Sequence, residues 1–473
     1  MKQLLWIDGH FQETPSYMEL RSPFNHEKLA DVAVASREDV MAAISAAQKA
    51  AKIFAKMPLY ERAEILEGVS TILKKEREEC ARIISREAAK PIKAARAEVD
   101  RTIMTYKFAA MEARRIHGET VPMDAAPGGE GRVAFTIKEP LGVIAAITPF
   151  NFPMNLVAHK VGPAIAAGNT VVLKPASQTP LSAYKIAEVF ERAGLPSGVL
   201  NVITGSGRKI GDLLVKDERI KMVTFTGSPE VGKNIRENAG LKRVTLELGS
   251  NSAVIVENGV AVDKVVPRIV NGAFAYQGQV CISVQRVFVH SSIFEMFVDE
   301  FVKETSKLVT GDPLKDDTDL SALISVGDGD RVRDWIEEAV SNGAALKLGG
   351  TLQNGILQPT VLTHVPSNVK VSCEEIFAPV VSINPYQTID EAIILVNESK
   401  YGLQAGIFTN DIHHALQAAK ELEVGGVMIN EIPTFRVDQM PYGGVKMSGM
   451  GREGIKYAVE EMTELKLISF NTN

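Results

Sequence analysis

"GVIAAITPFNFPMNLVAHKVGPAIAAGNTVVLKP", residues 142–175, is the stretch that determines the fold class. Two short runs of Val, Ile, Ala and Leu flank a helical segment, and this order of elements predicts a βαβ unit with parallel strands. The alternation continues to residue 248 with "VLNVIT", "MVTFTG" and "RVTLELG" as further strands. Strands that are apolar on both faces predict an α/β fold with a parallel sheet covered by helices, whose ligands bind at the carboxyl ends of the strands.

The sequence before and after residues 142–248 extends this pattern. Residues 37–117 are helical by their apolar spacing, with residues 60–89 predicted as one run that ends before Pro91. A second α/β unit is predicted from 251 to 442, with "RVFVH", "ALISV", "PTVLTHV", "GIFTN" and "GGVMIN" as strands. "RVAFTIKEP" predicts an extended hairpin. The tail "ELKLISFN" is strand-like and needs a partner edge, either this hairpin or another subunit.

Composition limits the class of protein. A chain of 473 residues with 45% apolar and 23% charged residues is expected to form two or three globular domains. The net charge of −6 and the lack of a basic stripe argue against nucleic acid and anionic membranes as partners. Three unpaired cysteines indicate a reducing compartment, and neither a signal peptide nor a membrane span is predicted. We therefore expect a cytoplasmic protein.

Three residues are candidates for the chemistry. Cys281, in "GQVCISV", is either a nucleophile or a buried apolar residue; Cys80 on a helix and Cys373 before two acidic residues are poorer nucleophile candidates. Glu247 ends a buried strand and is either a general base or the partner of a surface lysine. Asn151, between two phenylalanines, either caps a turn or donates to an oxyanion.

Two glycine-rich loops follow neighbouring strands. Their glycines are Gly205, Gly207, Gly211, Gly227 and Gly232. The first loop misses the dinucleotide fingerprint by one residue, and either loop taken alone is equally explained as a chain turn. Two such loops, with Ser228 and Lys174 at strand ends nearby, favour a nucleotide cofactor. No metal-ligand spacing, P-loop or G-x-S-x-G motif occurs, so no metal is predicted.

Several motifs together resemble the aldehyde dehydrogenase superfamily over essentially the whole chain. They are "ITPFNFP", "GNTVVLKPA", "TFTGSPEVG", "LELG", "GQVC", "EEIFAPV" and "MPYGGVKMSGMGREG". The text around "FRVDQMPYGG" is similar to the lactaldehyde and sulfolactaldehyde dehydrogenase-like branch. The resemblance implies a Rossmann-type cofactor domain at 1–117 and 141–248 and a catalytic domain at 249–443. It implies a bridging element at 118–140 and 444–473, which joins subunits in a homodimer or homotetramer.

The resemblance also implies roles for residues. Cys281 would attack the aldehyde, Asn151 and the Cys281 N–H would hold the oxyanion, and Glu247 would activate the water that hydrolyses the thioester. The implied cofactor contacts are Lys174 to the adenosine ribose, Gly207 at the adenine, Ser228 at the pyrophosphate, Glu375 to the nicotinamide ribose, and Phe377 beside it. A CoA-acylating enzyme is the nearest alternative, and a non-catalytic binding protein is a second.

Two features bear on specificity. Ser177 stands where relatives that prefer NAD often have glutamate, which predicts that NADP is accepted as well as NAD, with Lys174 and Arg208 as phosphate partners. The stronger form of this prediction is a preference for NADP. The residues implied at the aldehyde entrance are Phe152, His159, Arg436 and Tyr442. Arg436 either binds an anionic group or forms a structural salt bridge, and the first alternative predicts a small hydroxylated or anionic aldehyde.

Overall fold

Two large sheets form the framework of the computed structural model, which describes residues 1–472. The first has eight strands in the spatial order Gly449–Met450, Arg243–Glu247, Ile220–Thr226, Val143–Ile147, Thr170–Lys174, Leu200–Val202, Leu5–Ile7 and His10–Gln12. The five strands from Arg243–Glu247 to Leu200–Val202 run parallel. This arrangement confirms the α/β fold predicted from residues 142–175.

Both faces of this sheet are covered. All residues of Val143–Ile147 are buried, and successive side chains enter two different hydrophobic clusters, Ile144 and Ala146 one and Val143 and Ala145 the other. The helices of this half of the chain are Arg37–Phe54, Leu59–Lys75, Arg77–Ala88, Ile92–Ala113, Asn155–Ala167, Leu181–Arg192, Asp212–Lys216 and Pro229–Asn238. A π-helical turn, Gly207–Gly211, precedes Asp212–Lys216. Continuous apolar strands therefore reflect burial on both sides.

The helical run predicted for residues 60–89 is two helices. The first ends at Lys75 and the next begins at Arg77, because Glu76 has a non-helical backbone with φ −102° and ψ 20°. The second helix ends at Ala88, where Ala89 adopts the left-handed conformation with φ 48°. The apolar spacing continues through Glu76, so the sequence pattern does not reveal the break.

The second large sheet has seven strands. In order they are Ala345–Leu348, Thr360–Thr363, Val380–Tyr386, Arg286–His290, Ala253–Val256, Gln404–Phe408 and Gly426–Ile429. All neighbours are parallel except Ala345–Leu348, which is antiparallel to its partner. The associated helices are Val262–Phe274, Phe294–Thr305, Val326–Ser341, Lys370–Cys373, Ile389–Asn397 and Ile412–Glu421.

The strand predicted for "ALISV", residues 322–326, is wrong. Residues 322–325 are irregular and Val326 begins a helix. Two glutamine side chains satisfy the backbone there: Gln277 Nε2 donates to the Ala322 carbonyl at 2.9 Å, and the Ile324 N–H donates to Gln279 Oε1 at 3.0 Å. These side chains take the place of a neighbouring strand.

Smaller sheets lie outside the two large ones. The strand Thr463–Asn471 pairs antiparallel along its whole length with Arg132–Pro140, which also pairs with Thr120–Val121. The partner edge left open by the sequence is therefore the hairpin of the same chain. A further three-stranded sheet has Lys28–Ala33 between Lys2–Gln3 and Tyr17–Arg21. Two two-stranded sheets pair Leu352–Gln353 with Ile356–Leu357 and Tyr401–Gly402 with Val445–Lys446.

The carboxyl-terminal segment is divided between two places. The sequence assigned 444–473 to a bridging element, whereas Gly449–Met450 is the edge strand of the first large sheet. Helix Ile455–Glu461 also packs on the first half, and Ile455 and Val459 belong to its core. Across residues 1–472, no helix is long and apolar enough to cross a membrane.

Candidate active site

A cavity of about 830 Å³ lies at the carboxyl ends of strands of the first large sheet and is closed by residues from the second half of the chain. The first sheet contributes Glu247, the last residue of its strand, and Asn151, four residues after another strand. The second half of the chain contributes Cys281 and Glu375. The three candidates for chemistry therefore line one cavity, at the strand edge where α/β sheets bind ligands.

Cys281 follows a tightly constrained turn. Tyr276, Gln277 and Gly278 have consecutive positive φ values of 47°, 54° and 69°. A Cβ on Gly278 would lie 2.2 Å from the Ala378 carbonyl oxygen, so only glycine fits there. Gln277 Nε2 donates to the Ala89 carbonyl at 3.0 Å as well as to Ala322. The side chains of this turn thus hold an unfavourable backbone that places Cys281 at the cavity wall.

The Cys281 thiol is half-buried and has one polar neighbour. Its Sγ lies 2.9 Å from Tyr442 Oη. Burial raises the pKa of the Cys281 thiol to about 12, while the hydrogen bond from Tyr442 and the charge of Arg436 lower it. Cys281 packs against a small apolar cluster that includes Tyr276 and Tyr442, and it also lines the cavity, so the residue is not fully enclosed by apolar side chains.

Glu247 is buried at the cavity wall. Within residues 1–472, neither of its carboxylate oxygens has a hydrogen-bond partner. Burial, followed by the negative charge of Glu453, raises the pKa of Glu247 well above its usual value. A surface salt bridge to lysine, the alternative for this residue, is therefore wrong. An unpartnered carboxyl group with a raised pKa is a stronger base than an exposed carboxylate and can accept and return a proton.

Asn151 directs its side-chain amide across the cavity wall. Its Nδ2 donates to the Gln279 carbonyl at 3.0 Å, and its buried Oδ1 has no partner among the described residues. Because Nδ2 carries two hydrogens, one remains for a ligand oxygen. The amide bonds to the turn before Cys281 rather than to its own loop, so it does not act as a local turn cap.

An ion pair that the sequence did not reveal supports Asn151. Lys90 and Glu98 are fully buried and 2.5 Å apart, and Lys90 Nζ also donates to the Asn151 carbonyl at 2.5 Å. Glu98 Oε1 accepts the N–H groups of Met154 and Asn155 at 2.9 and 3.1 Å. The Lys90–Glu98 pair therefore holds this loop at Asn151 and at Met154 and Asn155. Lys90 lies between two helices and Glu98 lies on the second of them, so apolar spacing does not single out either residue.

Arg436 and Tyr442 line the cavity beside Cys281. The guanidinium carbon of Arg436 lies 3.6 Å from the centre of the Tyr442 ring, and Nη2 donates to Glu453 Oε2 at 3.0 Å. Glu453 Oε1 accepts from Lys160 Nζ at 2.9 Å. Burial disfavours the charge of Glu453, yet Lys160 and Arg436 hold its pKa below the usual range. Arg436 Nε is buried and unpartnered among residues 1–472, so the guanidinium retains donor capacity.

Four of the predicted cofactor residues line the same cavity: Gly227, Ser228, Glu375 and Phe377. Ser228 is the N-cap of helix Pro229–Asn238. Glu375 Oε1 accepts the Ser250 N–H at 2.9 Å, and burial raises the pKa of Glu375 to about 7. Phe377 packs edge-to-face on Phe150 with ring centres 5.7 Å apart.

The other predicted cofactor residues lie away from this cavity. Lys174 is buried and donates to the Pro175 carbonyl at 3.0 Å, and burial lowers its pKa to about 8. Ser177 lines a second cavity of about 340 Å³, and its Oγ donates to the Gly205 carbonyl at 3.2 Å. Gly207 begins the π-helical turn. A Cβ on Gly232 would lie 2.4 Å from Leu248 Cδ2, so this glycine allows its helix to pack closely.

The chain matches the model of the aldehyde dehydrogenase family over residues 10–468. The chain belongs to the aldehyde dehydrogenase family. It is 48% identical over 467 residues to the 3-sulfolactaldehyde dehydrogenase of Priestia megaterium, covering 99% of this chain and 98% of that protein. It is 42% identical over 459 residues to the lactaldehyde dehydrogenase of Methanococcus aeolicus, covering 96% and 97%. These relatives confirm the predicted resemblance.

A solved structure gives the same result for the fold. The NADP-dependent glyceraldehyde-3-phosphate dehydrogenase from Bacillus halodurans, complexed with NADP, superimposes with a TM-score of 0.98 at 38% identity and full coverage of both chains. The present protein is therefore an NAD(P)-dependent aldehyde dehydrogenase.

The residues of this aldehyde dehydrogenase fit a dinucleotide. The buried Lys174 ammonium has no hydrogen-bond partner among residues 1–472 other than its neighbouring carbonyl, which leaves donors for a ribose or phosphate oxygen. Gly249 lies so close to Glu375 that a Cβ there would be 2.8 Å from Oε2, which keeps that carboxylate at the cavity surface. Helix Pro229–Asn238 begins after Ser228, which lines the cavity, and the positive end of a helix dipole favours a negatively charged group such as phosphate.

His159 of the aldehyde dehydrogenase is not among the residues that line the large cavity. It is buried behind Arg436, with Nε2 2.7 Å from Asp438 Oδ1 and Nδ1 3.3 Å from Arg436 Nη2. Burial, and then the charge of Arg436, lowers the pKa of His159, which favours the neutral ring. Arg101, which the sequence did not single out, does line the cavity and binds Asp438 at 2.7 Å. His159 thus lies behind Arg436, which lines the cavity together with Phe152 and Tyr442.

Proposed function

We propose that this aldehyde dehydrogenase oxidises a small hydroxylated or anionic aldehyde, of the lactaldehyde, sulfolactaldehyde or semialdehyde kind, to its carboxylic acid. The observation that carries the proposal is the Arg436 guanidinium, which lines the cavity of Cys281 with an unpartnered Nε. A guanidinium binds carboxylate or sulfonate oxygens through parallel N–H bonds. The names of the two relatives, a sulfolactaldehyde and a lactaldehyde dehydrogenase, agree with such a substrate.

In the first step, the Cys281 thiolate attacks the aldehyde carbon. A C–S bond forms, and the carbonyl π electrons move to the oxygen to give a thiohemiacetal oxyanion. The free Nδ2 hydrogen of Asn151 and the Cys281 N–H are the donors for this oxygen. Asn151 keeps its position because its carbonyl is bound by Lys90 and its amide by the Gln279 carbonyl.

Bound NAD(P)+ would supply the hydride acceptor that converts the thiohemiacetal to a thioester. Lys174, Ser228 and Glu375 are the residues that would hold it, and Gly207, Gly227, Gly232 and Phe377 would shape its surroundings. Ser177 cannot repel a 2′-phosphate as a glutamate would, and the exposed Arg208 lies three residues after Gly205, whose carbonyl accepts the Ser177 hydroxyl. We therefore propose that NADP is used, with a larger kcat/KM than NAD. A large preference for NAD would contradict this.

Glu247 completes the cycle. Its carboxylate takes a proton from water while the water oxygen attacks the thioester carbon, and the C–S bond breaks to return the thiolate. Both Glu247 oxygens are unpartnered within the part of the chain that the structure describes, so they can bind a water molecule. A carboxylate at this position favours hydrolysis over transfer of the acyl group to CoA.

We propose that the protein is a homo-oligomer, a dimer or a tetramer. The sheet formed by Thr463–Asn471 and Arg132–Pro140 has exposed apolar side chains on both faces, with Val133, Phe135 and Phe470 on one face and Leu465 and Leu467 on the other. A three-stranded sheet with such a surface is stabilised when another surface covers it. The cysteines Cys80, Cys281 and Cys373 are all free, which agrees with a reducing compartment such as the cytoplasm.

A single assay series tests the substrate. Formation of reduced cofactor is followed with lactaldehyde, succinate semialdehyde, sulfolactaldehyde and an uncharged aliphatic aldehyde, with each cofactor and with or without CoA. We expect CoA-independent turnover with the highest kcat/KM for an anionic aldehyde. Arg436→Ala should lower kcat/KM for the anionic aldehydes by about 100-fold, which corresponds to a lost charge-assisted hydrogen bond of roughly 1.5–3 kcal/mol.

The uncharged aldehyde is the internal control for Arg436→Ala, because it lacks the group that the guanidinium would bind. Equal losses with charged and uncharged aldehydes would mean that Arg436 does not bind the anionic group of the substrate. Turnover that requires CoA would overturn the hydrolytic mechanism.

A further inference from the structure

The hydroxyl group of Tyr442 lies next to the reacting sulfur. Tyr442 Oη is 2.9 Å from Cys281 Sγ, and this is its only hydrogen bond within residues 1–472. The side chain is buried, so a hydroxyl without this partner would be unfavourable there. A thiol is a weak donor, whereas a phenol is a good donor and a thiolate is a good acceptor. The bond is therefore strongest when Tyr442 donates and Cys281 is ionised.

Two contacts fix the position of the Tyr442 ring. Its backbone pairs with Glu453 in both directions, with N···O distances of 3.0 and 2.7 Å. The Arg436 guanidinium lies over the ring at 3.6 Å and is itself bound to Glu453 at 3.0 Å. A cation on the ring face draws electron density from the ring and makes the phenol a stronger donor. Arg436 and Glu453 thus act on the sulfur through Tyr442.

We propose that Tyr442 is a catalytic residue whose phenolic O–H donates a hydrogen bond to the Cys281 thiolate, with Arg436 and Glu453 as its positioning residues. This inference rests on the proposed role of Cys281 as the nucleophile. It assigns Tyr442 a function beyond lining the aldehyde entrance.

The bond changes as the sulfur changes. When the thiolate forms the C–S bond, the sulfur becomes a thioether-like atom, which is a weak acceptor. Tyr442 keeps its proton throughout, so no proton is transferred through it. When the thioester is hydrolysed, the C–S bond breaks and the electron pair returns to Sγ, where the phenol again donates. Tyr442 therefore stabilises both the nucleophile and the leaving group.

Alkylation of Cys281 by iodoacetamide tests this without aldehyde or cofactor. The rate of modification of the full chain is measured against pH, and peptide mass spectrometry follows Cys281 separately from Cys80 and Cys373. In Tyr442→Phe the ring remains under Arg436 but the donor is lost. We expect the midpoint of the pH profile to rise by about one unit, and the rate below it to fall about 3-fold, since a thiolate of higher pKa is also more nucleophilic.

Tyr386→Phe is the matched control. Tyr386 is also buried, but its hydroxyl bonds to the Val256 carbonyl and it is not among the residues that line the cavity. The pH profile for alkylation of Cys281 in Tyr386→Phe should match that of the wild type. The alkylation rate of Cys373 should be equal in the wild type, Tyr442→Phe and Tyr386→Phe. Circular dichroism verifies that each variant is folded.

Incorporation of 3-fluorotyrosine at position 442 gives a test that retains the hydroxyl. Fluorine makes the phenol a stronger donor, so the midpoint for Cys281 should move to lower pH, opposite to Tyr442→Phe. An unchanged midpoint in both variants, or a lower midpoint in Tyr442→Phe, would overturn the proposal. A failure of the proposed aldehyde chemistry would leave these alkylation profiles interpretable, because the reagent reacts with the thiolate directly.

Discussion

At the scale of single residues, the proposed mechanism depends on a proton acceptor that has no other partner. Glu247 is buried in the cavity wall, and both of its oxygens are unpaired among the described residues. Neighbouring cations do not neutralise it directly, because Lys160 and Arg436 bind Glu453 instead. A buried carboxyl group of this kind keeps its proton to a higher pH than an exposed one. Its ionised form is the one that can activate water.

We expect Glu247→Gln to stop turnover after one reduced cofactor per active site. The amide cannot accept a proton from water, so the thioester accumulates and steady-state kcat falls about 100-fold to 10,000-fold. Stopped-flow absorbance measures the burst and the slow phase. In the wild type the slow phase should weaken as pH falls through the raised pKa of Glu247, because protonation removes the base.

The matched control for this substitution is Glu257→Gln. Glu257 is another buried glutamate of the catalytic half, but it binds Thr409 and His414 outside the cavity. Its variant should show no burst and normal turnover. Steady-state turnover of Glu247→Gln at the wild-type rate would show that another group activates the water.

At the scale of elements, the helix Ile92–Ala113 positions the loop of Asn151. Glu98 on this helix binds Lys90 and two N–H groups of the loop. Lys90 also lies 3.8 Å from the centre of the Phe152 ring, and burial lowers its pKa. A buried ion pair of this kind contributes less to stability than its Coulomb energy suggests, but removal of one partner leaves an uncompensated charge.

We expect Lys90→Met to lower the free energy of unfolding by about 3–5 kcal/mol and to lower kcat, because Glu98 and the Asn151 carbonyl lose their partner. The double variant Lys90→Met with Glu98→Gln should recover part of the stability. Thermal unfolding and steady-state kinetics measure both effects. The control is Arg77→Met, which breaks the exposed pair with Asp100 on the same helix and should leave Tm unchanged.

One outcome would contradict the proposal that the Lys90–Glu98 pair positions the loop of Asn151. If Lys90→Met and Arg77→Met had equal Tm and kcat, the buried pair would not position the loop.

The same scale shows what the sequence can predict. Strands such as Val143–Ile147 were predictable, because short apolar runs are local patterns, and the candidates Cys281, Glu247 and Asn151 all line one cavity. "ALISV" has the composition of a strand but is irregular, since side chains from the turn before Cys281 bind its backbone. That contact spans 45 residues and leaves no local signal.

The substrate entrance shows the same limit. His159 and Arg436 were predicted to share one surface, but only Arg436 lines the cavity. His159 faces Asp438, 279 residues away, which the sequence pattern did not single out. The pairing of Lys90 with Glu98 and of Arg101 with Asp438 was missed for the same reason. The apolar periodicity of a helix indicates which of its faces is buried. It does not indicate which charged group from elsewhere in the chain pairs with a charged residue on that face.

At the scale of the whole molecule, the active site requires both halves of the chain. Asn151 and Glu247 come from the first sheet, whereas Cys281 and Glu375 come from the second half. A small hydrophobic cluster that includes Ala88, Tyr276 and Tyr442 joins the two halves beside the cavity. The position of Cys281 relative to Asn151 therefore depends on packing between the halves.

The sheet of Thr463–Asn471, Arg132–Pro140 and Thr120–Val121 is where we propose that subunits meet. Val133 and Phe470 are paired across the strands and are 54% and 52% exposed, and the rings of Phe135 and Phe470 stack with centres 6.1 Å apart. We expect Phe470→Asp to shift the protein to a smaller species at micromolar concentration, because a charge replaces apolar surface that a second copy would bury. Sedimentation velocity or light scattering gives the mass. Leu241→Asp, at a fully exposed single leucine, is the control and should leave the mass unchanged. A monomeric wild type, or a Phe470→Asp variant of unchanged mass, would show that this surface does not join subunits.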